Sequence, residues 1–97
     1  MAKFALYVHL TPKPGKEKEV EAFLTQGALM AGEESGTVNW YGMQEDGGAY
    51  SVFDTFEDEA ARDAHLNGEI AKALMAKADE LFANPLQIHK ITILADK

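Results

Sequence analysis

The chain has 97 residues, no cysteine, 16 acidic against 9 basic side chains and a formal charge of −7. Without cysteine it makes no disulfide, thiolate or Fe–S chemistry. With Arg62 the single arginine and lysines scattered from Lys3 to Lys97, it offers no basic stripe to nucleic acid or to an anionic membrane surface.

A chain of this length is read as one domain, residues 1–97, and it buries only about 60–70% of its unfolded surface, so the core is small. Hydrophobic content of 46% and a charged fraction of 26% are ordinary for a folded protein. The first apolar run, from Phe4 to Leu10, is too short to span a membrane and is followed by no small-residue cleavage site, so a cytoplasmic protein is expected.

Phe4 to Leu10 alternates Phe4, Leu6, Val8 and Leu10 with Ala5, Tyr7 and His9, and reads as a first strand covered on both faces. Thr11-Pro12-Lys13-Pro14-Gly15 breaks it. From Lys16 the apolar spacing becomes helical, with Val20, Phe23, Leu24, Gly27, Ala28 and Ala31 on one side. The helix closes at Glu33-Glu34-Ser35-Gly36, where glycine is expected to supply a left-handed residue.

Thr37 to Glu45 returns to period two: Val38, Trp40 and Gly42 on one face, Asn39, Tyr41 and Met43 on the other. Asp46-Gly47-Gly48 is a hairpin signal, and Tyr50 to Thr55 pairs back as strand three. Glu57 to Leu66 is a helix with an acidic first turn, for which Thr55 is the expected cap. Asn67-Gly68 interrupts it, and Glu69 to Ala83 resumes a helix with Ile70, Leu74, Met75, Ala78, Leu81 and Phe82 on its apolar side. After Asn84-Pro85, Leu86 to Leu94 is the last strand, Ile88 on one face and His89, Ile91 and Ile93 on the other.

The order is β-α-β-β-α-β, an α+β ferredoxin-like arrangement in which helices cover one face of a four-stranded antiparallel sheet. Large apolar residues on both faces of the strands leave one face uncovered, and a homodimer through that sheet face is the simplest remedy.

The order of elements, the Lys13-Pro14-Gly15-Lys16 turn, the Glu34-Ser35-Gly36-Thr37 exit, and above all Phe56-Glu57-Asp58-Glu59-Ala60-Ala61 with Ala64-His65-Leu66 resemble the antibiotic biosynthesis monooxygenase family of dimeric α/β-barrel proteins. The likeness covers nearly the whole chain. It implies a homodimer with a shared barrel, a pocket between sheet and helices, and an oxidoreductase that oxidises a phenol, quinol or anthrone with O₂ using neither metal nor flavin. Some related proteins degrade haem with a histidine on the second helical piece, an aromatic on strand three and an asparagine on strand one. Here Met75 stands on that helix, the one Trp is on strand two and strand one has no Asn, which counts against haem.

A deprotonated hydroxyaromatic can reduce O₂ itself, so the protein need supply a dry pocket, orientation and a base near neutral pH. Histidine suits that task, which makes His65 the candidate catalytic residue; its structural alternative is to bond a carbonyl and fix the junction between the helical pieces. Tyr7, His9, Asn39, Trp40, Phe53 and Met75 are candidate substrate-binding residues. Each has a rival role: Trp40 as core or dimer contact, Tyr7 and His9 as partner contacts. Asn39 and Trp40 face opposite ways on a regular strand, so they cannot both line one pocket. His9, His65 and His89 sit on separate elements without ligand-pair spacing, and no metal is expected. The alternative to an enzyme is a non-catalytic small-ligand-binding dimer of the same fold.

Overall fold

Strict alternation in the first strand sends Phe4, Leu6, Val8 and Leu10 to one side, and the rest of the sheet is built in register with it. The computed structural model describes residues 2–97 and runs β1 (Phe4–Leu10), α1 (Glu17–Ala31), β2 (Thr37–Gln44), β3 (Tyr50–Phe56), α2 (Glu59–Leu66), α3 (Glu69–Leu81) and β4 (Gln87–Thr92). The strands form one antiparallel sheet in the order β2-β3-β1-β4, the ferredoxin-like topology expected. Leu6 lies opposite Asp54 and Val8 opposite Val52, Trp40 lies opposite Asp54, and Ile88 opposite Val8. These side chains share the face that the helices cover.

The core gathers Val8, Leu10, Val20, Leu24, Val52, Leu74, Leu81 and Phe82 between that face and the helices. Helix α1 lies close on β2, because Gly27 has no side chain: a Cβ there would meet two atoms of the Trp40 indole at 3.0 Å. Helix α3 is held differently. None of its Cα atoms comes within 8 Å of a strand Cα, while α1 approaches β2 and α2 approaches β1, β2 and β3. Side chains alone fill the layer beneath α3. Its end is tied back to the turn after β1 by Lys13 N–H to Leu81 O at 2.8 Å and Ala83 N–H to Thr11 O at 2.8 Å.

Several local details depart from the sequence expectations. Thr55 is not a helix cap; it is the penultimate residue of β3, and its hydroxyl donates to Asn39 Oδ1 at 2.9 Å. Asp58 caps α2 instead, its carboxylate accepting from Ala61 N–H at 2.8 Å, so the helix starts two residues later than expected. Gly36 has no left-handed backbone; Gly15, Gly47 and Gly48 are the glycines with positive φ among the described residues. Gly36 serves close approach, since a Cβ would stand 2.8 Å from Ala61 Cβ. Val38 interrupts the simple alternation of β2, because the β2–β3 register shifts between Thr37 and Asn39 and leaves it at a bulge, 47% exposed.

The Asp46-Gly47-Gly48 turn forms as expected, with φ of 94° and 96° at the two glycines. The last strand is shorter than the apolar run that suggested it, Gln87–Thr92.

Candidate functional site

The site grows out of α2. Helical spacing brings Arg62 and His65, three residues apart, to the same buried side of the helix. Arg62 fastens the helix to the sheet edge: its guanidinium donates to Ile91 O at 3.2 Å and lies 5.2 Å from the Phe4 ring centroid. One turn on, His65 enters between β3 and the turn after α1. Its Nε2 is 3.0 Å from Asp54 Oδ2 and its Nδ1 2.6 Å from Glu34 Oε1. The Phe56 ring packs beside it, centroids 5.1 Å apart. Glu34 is positioned in turn by the Thr37 hydroxyl, which donates to the same Oε1 at 2.8 Å.

Only the imidazolium donates from both nitrogens, so this geometry selects the charged ring. Burial by itself pulls the His65 pKa down, but the hydrogen bonds and charges of Asp54 and Glu34 outweigh it, and the net shift is upward. His65 therefore has no free nitrogen to serve as the pocket's base, and it bonds two carboxylates where the structural alternative had it bonding a carbonyl.

Asp54 is 2% exposed and its second oxygen, Oδ1, has no hydrogen-bond partner. Asp54 and His65 both border a cavity between the sheet and the α2–α3 corner, walled otherwise by apolar side chains that include Leu6, Val8, Val52, Leu66, Ile70 and Leu74. Trp40 closes one side, and its indole Nε1 is likewise buried and unpartnered. The cavity holds about 40 Å³, room for water-sized groups. A wider depression of about 560 Å³ runs between α1 and β2, with Glu21 and Tyr50 among its walls, but His65 and Asp54 are not part of it. There Glu21 accepts from the Tyr50 hydroxyl, a bond that pushes the Tyr50 pKa up to about 12.

The residues singled out from the sequence do not converge. Trp40 and His65 border the cavity. Tyr7, His9, Asn39 and Phe53 stand on the opposite face of the sheet, because each occupies the other phase of the strand alternation. Met75 is 63% exposed on the outer side of α3 and borders no cavity with His65.

The opposite face has its own order. Tyr41, Phe53, Tyr7 and His89 lie side by side across all four strands, an aromatic row. Glu45, just past the end of β2, accepts from the Tyr7 hydroxyl at 2.6 Å and lies 3.3 Å from His9 Nδ1. The Tyr7 bond raises the tyrosine pKa and lowers that of Glu45.

Two site residues escaped the sequence reading. Asp54 was visible as a charged residue in phase with Val52 and Phe56 on an inward face; Glu34 carried no signal, since only the fold brings it to His65. Among the described residues, no group of three or more His, Asp or Glu side chains is arranged to hold a metal ion. No helix is long and apolar enough to cross a membrane.

The fold and the cavity define a ferredoxin-like α+β protein with an ion-paired histidine at the sheet–helix boundary. More particularly, the chain belongs to the antibiotic biosynthesis monooxygenase family, whose model matches residues 4–77. A solved structure of a protein of unknown function from Nitrosomonas europaea is 46% identical, with a TM-score of 0.94, over 100% of this chain and 94% of that one. One from Mycobacterium tuberculosis is 20% identical with a TM-score of 0.87, covering 98% of each chain. A second Nitrosomonas europaea protein, described as a candidate antibiotic biosynthesis monooxygenase, is 12% identical with a TM-score of 0.84, over 95% of this chain and 99% of that one. These last two likenesses show the fold alone. No functionally curated protein matches the sequence.

Proposed function

We propose that this protein is a monooxygenase that oxidises a quinol or similar hydroxyaromatic with O₂ in the cavity beneath α3, without cofactor. Family membership supports the monooxygenase-like role. The observation that carries the reading further is the buried chain Asp54, His65, Glu34, which places a carboxylate oxygen with no partner on an apolar wall.

In this reading the substrate hydroxyl loses its proton to Asp54 Oδ1. The imidazolium then keeps one anionic partner, Glu34, whose side chain is 25% exposed and can pass the Nδ1 proton to solvent. His65 holds and moves the proton behind Asp54, as a positioning residue. The resulting anion is electron-rich enough to reduce O₂ once water is excluded. No external reductant is needed, because the substrate supplies all four electrons: a quinol takes up one oxygen atom to become a hydroxyquinone, and the other oxygen leaves as water.

An aromatic ring needs more space than the cavity provides, since an apolar cavity of about 150 Å³ is what accommodates benzene. The reading therefore requires Ile70, Ala71 and Leu74 to yield, and α3 is the element with only side chains beneath it. The narrow cavity also favours a second reading, a ligand-binding protein of the same fold that performs no oxidation. O₂ uptake with a panel of quinols, phenols and anthrones separates the two. Uptake above the uncatalysed rate on at least one compound is the expected result, and none on any compound sinks the enzyme.

The same proposal includes a homodimer joined through the open sheet face. The row Tyr41, Phe53, Tyr7 and His89 supports it, because four aromatic rings side by side form the kind of surface that proteins cover.

A further inference from the structure

Trp40 and Asp54 are directly opposed in the β2–β3 register and face the same cavity. Each carries one buried atom without a partner, and the two are complementary: the indole Nε1–H is a donor only, while Asp54 Oδ1, in a carboxylate ion-paired through its other oxygen, is an acceptor only. Leaving either unpaired is costly in a dry site, and leaving a neighbouring donor and acceptor both unpaired is uncommon.

We propose that Trp40 Nε1–H and Asp54 Oδ1 form a two-point clamp for one hydroxyl group of an uncharged, otherwise apolar ligand, Trp40 selecting for the oxygen and Asp54 for its hydrogen. The clamp rests on reading the cavity as the ligand site, but not on oxidation. It makes the ligand class narrower than "aromatic". A hydroxyl satisfies both atoms. A methyl ether accepts from Trp40 and strands Asp54, and a hydrocarbon strands both. A carboxylate brings a second anion against Asp54 in a site whose three charged groups, Asp54, His65 and Glu34, already sum to a negative charge. The remaining walls of Leu, Val and Ile side chains can contribute only apolar contact. If the hydroxyl ionises, the same indole N–H faces the developing oxyanion, so Trp40 favours the anion that the oxidation would need.

The test uses redox-inert probes under anaerobic conditions: phenol, anisole, toluene and benzoate at neutral pH. Binding is read by calorimetry and, in the wild type, by fluorescence of Trp40, the one tryptophan in the chain. Phenol is expected to bind at least about tenfold tighter than anisole or toluene, the loss typical of stranding a buried polar group, and benzoate not to bind. Trp40→Phe should weaken phenol and anisole alike, since each loses the indole donor, and should not weaken toluene. Asp54→Asn should remove the preference for phenol over anisole; if it fails to fold, the loss of phenol and anisole affinity in Trp40→Phe carries the result alone. Equal affinity for phenol, anisole and toluene, phenol affinity unchanged by Trp40→Phe, or no binding by any probe overturns the clamp. Phenol selectivity without O₂ uptake on any substrate would overturn the oxidation and leave the clamp standing; uptake without phenol selectivity would do the reverse.

Discussion

Asp54 and His65 meet at 3.0 Å in a place water barely reaches, the aspartate 2% and the histidine 8% exposed. An ion pair so placed is a poor way to stabilise a small domain, because apolar residues of similar volume usually do as well or better. The proposed chemistry of the cavity it borders gives the pair another reason to be there.

Removing one partner exposes that cost. His65→Ala leaves Asp54 a buried charge without its partner and should destabilise the protein by about 3–5 kcal/mol. The double variant His65→Leu with Asp54→Leu should lose markedly less than the sum of the two single changes, because neither charge remains to be stranded. Urea unfolding of the four proteins measures this, and additive losses would show that the two side chains do not interact.

The pH dependence follows from the direction of the His65 shift. Its folded pKa is raised by Asp54 and Glu34 above the value of about 6.5 for an unfolded histidine. A raised folded pKa stabilises fully below the unfolded value, and the stabilisation drains away as pH rises through the folded value. Urea midpoints of the wild type should therefore fall on going from pH 6 to pH 9. His65→Gln should lose that slope, and a wild-type midpoint rising over the same window would contradict the assignment.

Helix α2 depends on Asp58, whose carboxylate holds Ala61 N–H at 2.8 Å. Asp58→Ala should cost about 1 kcal/mol, which for a domain of this size lowers Tm by roughly 4–8 °C. Thr55→Val tests the other side of the same correction: it should break the hydrogen bond to Asn39 and leave the helical signal of α2 unchanged in circular dichroism.

Phe53 stands in the middle of the outer aromatic row, between Tyr7 and Tyr41. Phe53→Arg places a charge at the centre of the proposed dimer contact, so sedimentation should show a dimer for the wild type and a monomer for the variant. A wild-type monomer at all concentrations would remove the dimer from the account.

Much of the fold was legible because it rests on periodicity and turn chemistry. Phe4 to Leu10 announced a strand, Asp46-Gly47-Gly48 its hairpin, and the apolar spacing of Val20, Leu24, Ile70 and Leu74 two helices. What stayed hidden were relations between elements. The bulge at Val38 and the cap at Asp58 are single-residue choices that patterning does not resolve. The site was half legible: His65 stood out as a histidine at a helix end, but its partners come from β3 and from the turn after α1, and neither is near it in sequence. Tyr7, His9, Asn39 and Phe53 looked like pocket residues for their chemistry, yet alternation alone sends them to the other face. Met75 fitted the helical stripe but falls at its exposed edge.

The proposed chemistry requires His65 to be a charged bridge behind Asp54, with Asp54 the group that meets the ligand. Nitrogen NMR of the His65 ring across a pH titration measures this directly. Both ring nitrogens are expected to be protonated at neutral pH, with a titration midpoint above about 6.5, the unperturbed histidine value. A neutral ring at pH 7, with one nitrogen free of a proton, would contradict the account and return His65 to the role of base.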